Sequence, residues 1–294
     1  MPTLDQHQSN DYTKMLLIGD SKSGKTGSLI SLVKAGYKLR IIDMDNLLDV
    51  LKYYILRDCP DLIKNVEYRT LRDKRIPDPV TGAPIVSTPT AYPTAVRMME
   101  RWKYDDVDLG RPAEWGPDCV LVIDSCSRLC DAAYDFREKI TMSKEKYDIR
   151  AAYGDAQDSV ENNLANITDS NYKTNVIVIC HIVYQTQPDG TVKGFPQGVG
   201  QKLSPKIPQY FSSVVLYSSR KNKRIMQTTS TDLIDLANPK PFEMEPTYPI
   251  ETGLADFFEV LRPPPTKEKL DDGKPDTRRT ASPPIVQPIK RRLG

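Results

Sequence analysis

At 294 residues and 33.2 kDa, the chain has room for one large α/β domain with additional segments. Charged residues at 27% and hydrophobic residues at 39% are the balance of a soluble globular chain, and no run approaches the roughly 18 apolar residues needed to cross a bilayer, so no membrane partner is expected. The net charge of +2 is unevenly spread: residues 262–294 carry nine Lys/Arg against four Asp/Glu, a tail of +5 that leaves the remainder at −3.

Residues 1–12 are polar and read as a flexible start, with neither the basic region nor the apolar stretch of a secretion signal. Met15–Ile18 is a short apolar run ending at Gly19, a buried strand. Lys25–Ala35 carries Leu29, Ile30, Leu32 and Val33 and stops at Gly36, so a helix is expected there. Tyr37–Asp43 is a second strand, which completes one βαβ unit. Asn65–Leu71 alternates as a further strand. Arg72–Pro93, with five prolines, is a loop or irregular hairpin, and Ala95–Lys103 is helical. Cys119–Ile123 has the continuous apolar character of a strand covered on both faces. Helices follow around Leu129, Ala133, Phe136 and Ile140, and over Asp155–Ile167. Asn175–Val183 is the most apolar run and a central-strand candidate, while Val214–Tyr217 and Arg224–Thr229 suggest a late hairpin. Strands alternating with helices imply a mostly parallel sheet with helices on both faces over residues 13–261. After Arg262, seven prolines and many charges leave too little apolar surface to offset the entropy of ordering, and 262–294 is expected to be a disordered tail. Of the five cysteines, Cys119 and Cys180 lie in apolar runs, and Cys126 and Cys130 stand four apart on the expected helix. That pattern predicts reduced core thiols in a cytoplasmic protein.

The chemistry is concentrated at the expected strand ends. Gly19-Asp20-Ser21-Lys22-Ser23-Gly24-Lys25-Thr26 matches the eight-position phosphate loop at every fixed place, and Gly27 follows it into the helix. A polyphosphate requires several backbone N–H donors converging on it, and glycines permit that approach. Lys25 is expected against the β- and γ-phosphates of ATP, and Thr26 offers a hydroxyl to Mg²⁺. Val120–Ile123 ends in Asp124, the acid expected to complete the Mg²⁺ shell, with helix capping as the alternative role. Asp43 and Asp45 end the second strand and share one face if that strand continues through Asp45. Either can position or deprotonate an attacking water, or simply bind water or cap a helix. His181, within Val176–Val183, is either a hydrogen-bonded core residue or a sensor of the γ-phosphate.

These motifs together resemble the RecA-like recombinase core, and more closely the phage-encoded P-loop ATPases of that superfamily, which include minimal single-strand annealing recombinases. The resemblance rests on the phosphate loop, on Ile42-Asp43-Met44-Asp45, on Val122-Ile123-Asp124-Ser125-Cys126-Ser127-Arg128-Leu129 and on Ile179-Cys180-His181, and covers about residues 12–230. It implies that Asp45 activates water where the family usually has Glu, and that His181 senses the γ-phosphate where the family usually has Gln. It also implies a single-stranded DNA partner and a ring or filament of identical subunits in a phage-infected host cell. The family's mobile DNA-contacting loop matches Tyr184–Lys202, with Gly190, Gly194, Gly198 and Gly200, cations Lys193 and Lys202, and Phe195. Leu203–Phe211 is expected to meet nucleotide or DNA across a subunit boundary. Two other readings compete: a nucleotide-dependent switch that recruits protein partners, such as a single-strand-binding or replication protein, through the tail, and a small-molecule kinase using Asp43 or Asp45 as base.

Overall fold

Strand β1 (Lys14–Gly19) is buried along its whole length, and its side chains divide the molecule. Leu16 and Ile18 enter the core on one face of the sheet, while Met15 and Leu17 enter the core on the other, as the two-residue period of a strand dictates. The computed structural model describes residues 11–142, 148–220 and 223–261. Residues 1–10 of the flexible start read over 1–12, and the tail at 262–294, lie outside the described residues.

After β1 and the phosphate loop come two short helical segments, α1 (Lys25–Ser28) and α2 (Ile30–Lys34), which together fill the predicted helix. Then follow β2 (Lys38–Asp43), α3 (Asp49–Asp58) and β3 (Val66–Thr70). Residues 72–90 form the expected irregular hairpin, pairing Arg75–Pro77 with Pro84–Val86. Helix α4 (Ala91–Glu100) begins four residues before the predicted start. Pro93 sits harmlessly in its first turn, and Asp73 caps it by accepting from the N–H groups of Thr90 and Ala91. Next are β4 (Gly116–Asp124), α5 (Cys126–Met142), α6 (Ile149–Thr168) and β5 (Thr174–Cys180). A short α7 (Gly200–Leu203) precedes β6 (Ser213–Arg220), β7 (Lys223–Gln227), β8 (Thr247–Pro249) and α8 (Gly253–Leu261).

The sheet has eight strands in the order β8-β7-β6-β1-β5-β4-β2-β3. From β6 through β3 every neighbour is parallel, and β7 and β8 add antiparallel edges. The predicted α/β architecture is therefore the observed one. Helices α4, α5 and α6 cover one face through Ala95, Met98, Leu129, Ala133, Val160 and Leu164. The phosphate-loop helices, α3 and α8 cover the other through Leu29, Leu32, Leu51, Ile55, Phe257 and Phe258. No described helix is long and apolar enough to cross a membrane.

The apolar run Asn175–Val183 is not one strand. β5 ends at Cys180, and Ile182–Thr186 pairs instead with Val192–Pro196 in a separate antiparallel hairpin. Tyr184–Lys202, expected as a mobile DNA-contacting loop, thus holds most of this hairpin followed by a helical turn. Its cation Lys193 is paired with Asp235, and nearby Lys206 with Glu161. In the Leu203–Phe211 block, Leu203 and Ile207 are buried beside α6.

Candidate active site

Parallel strands place their carboxyl ends on one rim of the sheet, and in such folds ligands sit there. The ends of β1, β2, β4 and β5 supply Gly19, Asp43, Asp124 and, one residue past β5, His181.

Gly19 must be glycine: a Cβ there would lie 2.5 Å from the Tyr217 carbonyl oxygen of β6. Gly24 turns the chain with φ of 105°, in the left-handed region that side chains avoid, and the Ser28 N–H then donates to its carbonyl to start the helix. The Lys25 ammonium donates to the carbonyls of Gly19 at 2.7 Å and Asp20 at 2.8 Å, with Ser23 Oγ at 3.4 Å. Burial pulls that ammonium below its ordinary pKa, opposed by the negative charges of Asp124, Asp20 and Asp45. Ser21, Lys22, Ser23, Gly24, Lys25, Thr26 and Gly27 all line one cleft of about 390 Å³.

Across that cleft the Thr26 hydroxyl donates to Asp124 Oδ2 at 2.6 Å. Asp124 is only 4% exposed. Burial pushes its carboxyl up to about 6, aided by the charges of Asp45 and Asp43 and opposed by the Thr26 hydrogen bond and Lys25. A buried carboxylate with so little compensation is a hard oxygen donor that a divalent cation would stabilise. Thr26 and Asp124 thus fit Mg²⁺. Among the described residues no cluster of three or more His, Cys, Asp or Glu is placed to hold a metal.

Asp43 and Asp45 do not share a strand face. β2 ends at Asp43, where the Met44 N–H donates to the Asp124 carbonyl, and Asn46 turns at φ of 56°. Asp43 is occupied structurally, accepting from the Asn46 N–H at 2.7 Å and from Thr70 Oγ1 at 2.8 Å. Asp45 instead lines the cleft, with His181 Nε2 at 3.7 Å from Oδ2 and Arg128 Nε at 3.5 Å from Oδ1. Burial would raise the Asp45 carboxyl, but polar contacts from His181 and Ser125, with the charges of His181 and Arg128, hold it below the usual carboxylate range. His181 is fixed by its backbone, its N–H donating to Ser127 Oγ and its carbonyl accepting from the Gln197 N–H. Its ring faces the cleft, so the core-histidine alternative does not apply.

Parts of the cleft carried no sequence signal. Tyr54 of α3, Arg224 of β7 and Ile250 after β8 line it, together with Leu47, Asp49 and Val50. No motif marks them; only the antiparallel extension of the sheet brings Arg224 and Ile250 to the phosphate loop.

A phosphate loop on β1, an acid on β4 bonded to the loop threonine, and a flanked carboxylate after β2 define a P-loop NTPase. A family model described as an AAA domain matches residues 11–237, and the chain belongs to that family. No curated protein matches it. Among solved structures that match is one described as a prototypical ATPase from the type III secretion system of pathogenic bacteria, at 12% identity and a TM-score of 0.40, covering 70% of this chain and 52% of that one. The chain therefore spans about half the length of that structure.

Proposed function

We propose that this chain is a Mg²⁺-dependent, RecA-like ATPase that acts on single-stranded DNA in phage recombination or annealing. The observation that carries hydrolysis, rather than binding alone, is Asp45. It stands in the same cleft as Lys25, Thr26 and Asp124, held unprotonated between His181 and Arg128. A carboxylate in that state can orient and deprotonate a water for attack on the γ-phosphorus. Lys25 can neutralise phosphate oxygens, and Thr26 with Asp124 would hold Mg²⁺, which when bound would supply charge stabilisation for phosphoryl transfer. His181 bridges Asp45 and the hairpin at Ile182–Pro196, which begins one residue later. That hairpin presents Tyr184, 49% exposed. An exposed aromatic there is suited to stacking on an unpaired base. The DNA partner and the ring or filament rest on the family resemblance and on this adjacency.

Phosphate release with and without single-stranded DNA, and with and without a chelator, tests the reading. Turnover is expected to require Mg²⁺, to rise with DNA, and to fall by about 100-fold or more in Lys25→Ala, the loss typical of removing one transition-state charge contact. Unchanged hydrolysis in Lys25→Ala would sink the mechanism. DNA that neither binds nor alters turnover would remove the recombination reading and leave the ATPase.

A further inference from the structure

The cleft contains a cation that no motif predicts. In the sheet register Tyr217 of β6 pairs with Gly19 on one side and with Met226 of β7 on the other, and Ser219 pairs with Arg224. Because β6 runs parallel to β1, Ser219 and Arg224 lie two residues past the end of β1, level with the phosphate loop rather than with the strand. There the Arg224 side chain packs against the loop itself: its Cδ is 3.2 Å, and its Cβ 3.9 Å, from the place a Cβ on Gly24 would occupy. Arg224 lines the same cleft as Lys25, Thr26 and Asp124. Its side chain is exposed, and among the described residues no carboxylate forms an ion pair with it. Elsewhere Arg40, Arg57, Arg75, Arg101 and Arg128 each hold an acidic partner. Arg224 is thus an uncommitted guanidinium braced against the loop.

We propose that Arg224 is a second phosphate-binding cation, supplied in cis by the β6–β7 hairpin, that grips the polyphosphate of the bound nucleotide from the Gly24 side of the loop. Lys25 serves the other side, where it is bonded to the Gly19 and Asp20 carbonyls. The inference rests on the nucleotide-binding reading of this cleft. A guanidinium suits the task because its planar fork matches two phosphate oxygens at once and always carries its charge. The fold suits it as well, since a strand pinned by its register costs less entropy to position than a loop would.

Calorimetric binding of ATP, ADP and inorganic tripolyphosphate to the full chain, its Arg224→Ala and Arg224→Lys variants, and Lys25→Ala decides the matter. Arg224→Ala is expected to weaken all three ligands by about 10- to 100-fold, the range of a hydrogen bond to a charged group. Arg224→Lys should recover part of that loss, and the melting temperature of the ligand-free protein should stay that of the parent. Parent-like affinity in Arg224→Ala, while Lys25→Ala has lost binding, would overturn the assignment and leave the ATPase reading standing. Weakened ATP with unchanged tripolyphosphate would also overturn it, because the contact would then be to the nucleoside. Unchanged binding in both Arg224→Ala and Lys25→Ala would instead remove the nucleotide-binding reading itself.

Discussion

Neighbouring strands β2 and β4 end in aspartates that are register partners, Asp43 and Asp124, and both are buried, at 1% and 4% exposure. Their surroundings differ in the number of donors. Asp43 receives a backbone N–H and a hydroxyl, which satisfy it within the protein. Among the described residues Asp124 receives the Thr26 hydroxyl alone, and burial, with the charges of Asp45 and Asp43, pushes its carboxyl up to about 6. A buried carboxylate with its donors supplied braces the fold, whereas one left short of them is a site for a cation. Strand position and burial alone do not separate the two roles; the donors do.

The sharpest way to break this contrast is through the third carboxylate, Asp45. Asp45→Asn should lower kcat by about 10²- to 10⁴-fold, the usual worth of a positioned base, with ATP binding retained in calorimetry. An equal loss from Asp43→Asn, measured per folded molecule, would refute the division of roles. Asp124→Asn tests the strained member of the pair. Its folded pKa is raised, so its favourable contribution is complete below the ordinary value of 3.8 and lost as pH rises through about 6. Above that pH the ligand-free protein carries a penalty of about 3 kcal/mol, which a neutral amide removes. Thermal melts should therefore show ligand-free Asp124→Asn more stable than its parent at pH 7.5, the gap closing towards pH 4, while Mg²⁺–ATP no longer stabilises it. Asp43→Asn should act in the opposite sense. The amide has a single acceptor oxygen for two donors, and chemical denaturation should register a loss of about 1–3 kcal/mol.

Much of the rim was legible because its chemistry demands fixed spacing. The phosphate loop, Asp124 at the end of an apolar run, and the alternation of strands and helices all carry one-dimensional signals. Helix α3 does not. Its apolar residues surround it: Leu51 and Ile55 are buried, while Val50, Tyr53 and Leu56 face solvent, so no clean stripe marks it. The roles of Asp43 and Asp45 were also hidden, because side-chain alternation predicts a shared face only where the strand continues. The chain turns at Met44, held by a hydrogen bond from its N–H to a carbonyl on β4, which local sequence does not encode. Arg224 and Ile250 reach the cleft through pairings between segments far apart in the chain, and propensity and motif are blind to such pairings.

The smallest expected effect concerns Arg128, whose guanidinium lies 3.5 Å from Asp45 and 3.1 Å from Asp131. Asp45 is held below the ordinary carboxylate range, and the Arg128 charge is the last of the contributions that lower it, after His181 and Ser125. Removing the charge in Arg128→Gln favours the protonated acid, so Asp45 should lose its proton only at higher pH. The acid limb of the pH–kcat profile should then move upward, and activity should fall at low pH while the plateau is kept. Arg128 is 59% exposed, so solvent screens it and the displacement should stay under about one pH unit. At roughly 1 M salt, where the screening length shrinks to about 3 Å, the two profiles should converge. A plateau lowered at every pH would mean instead that Arg128 touches the reacting phosphate itself.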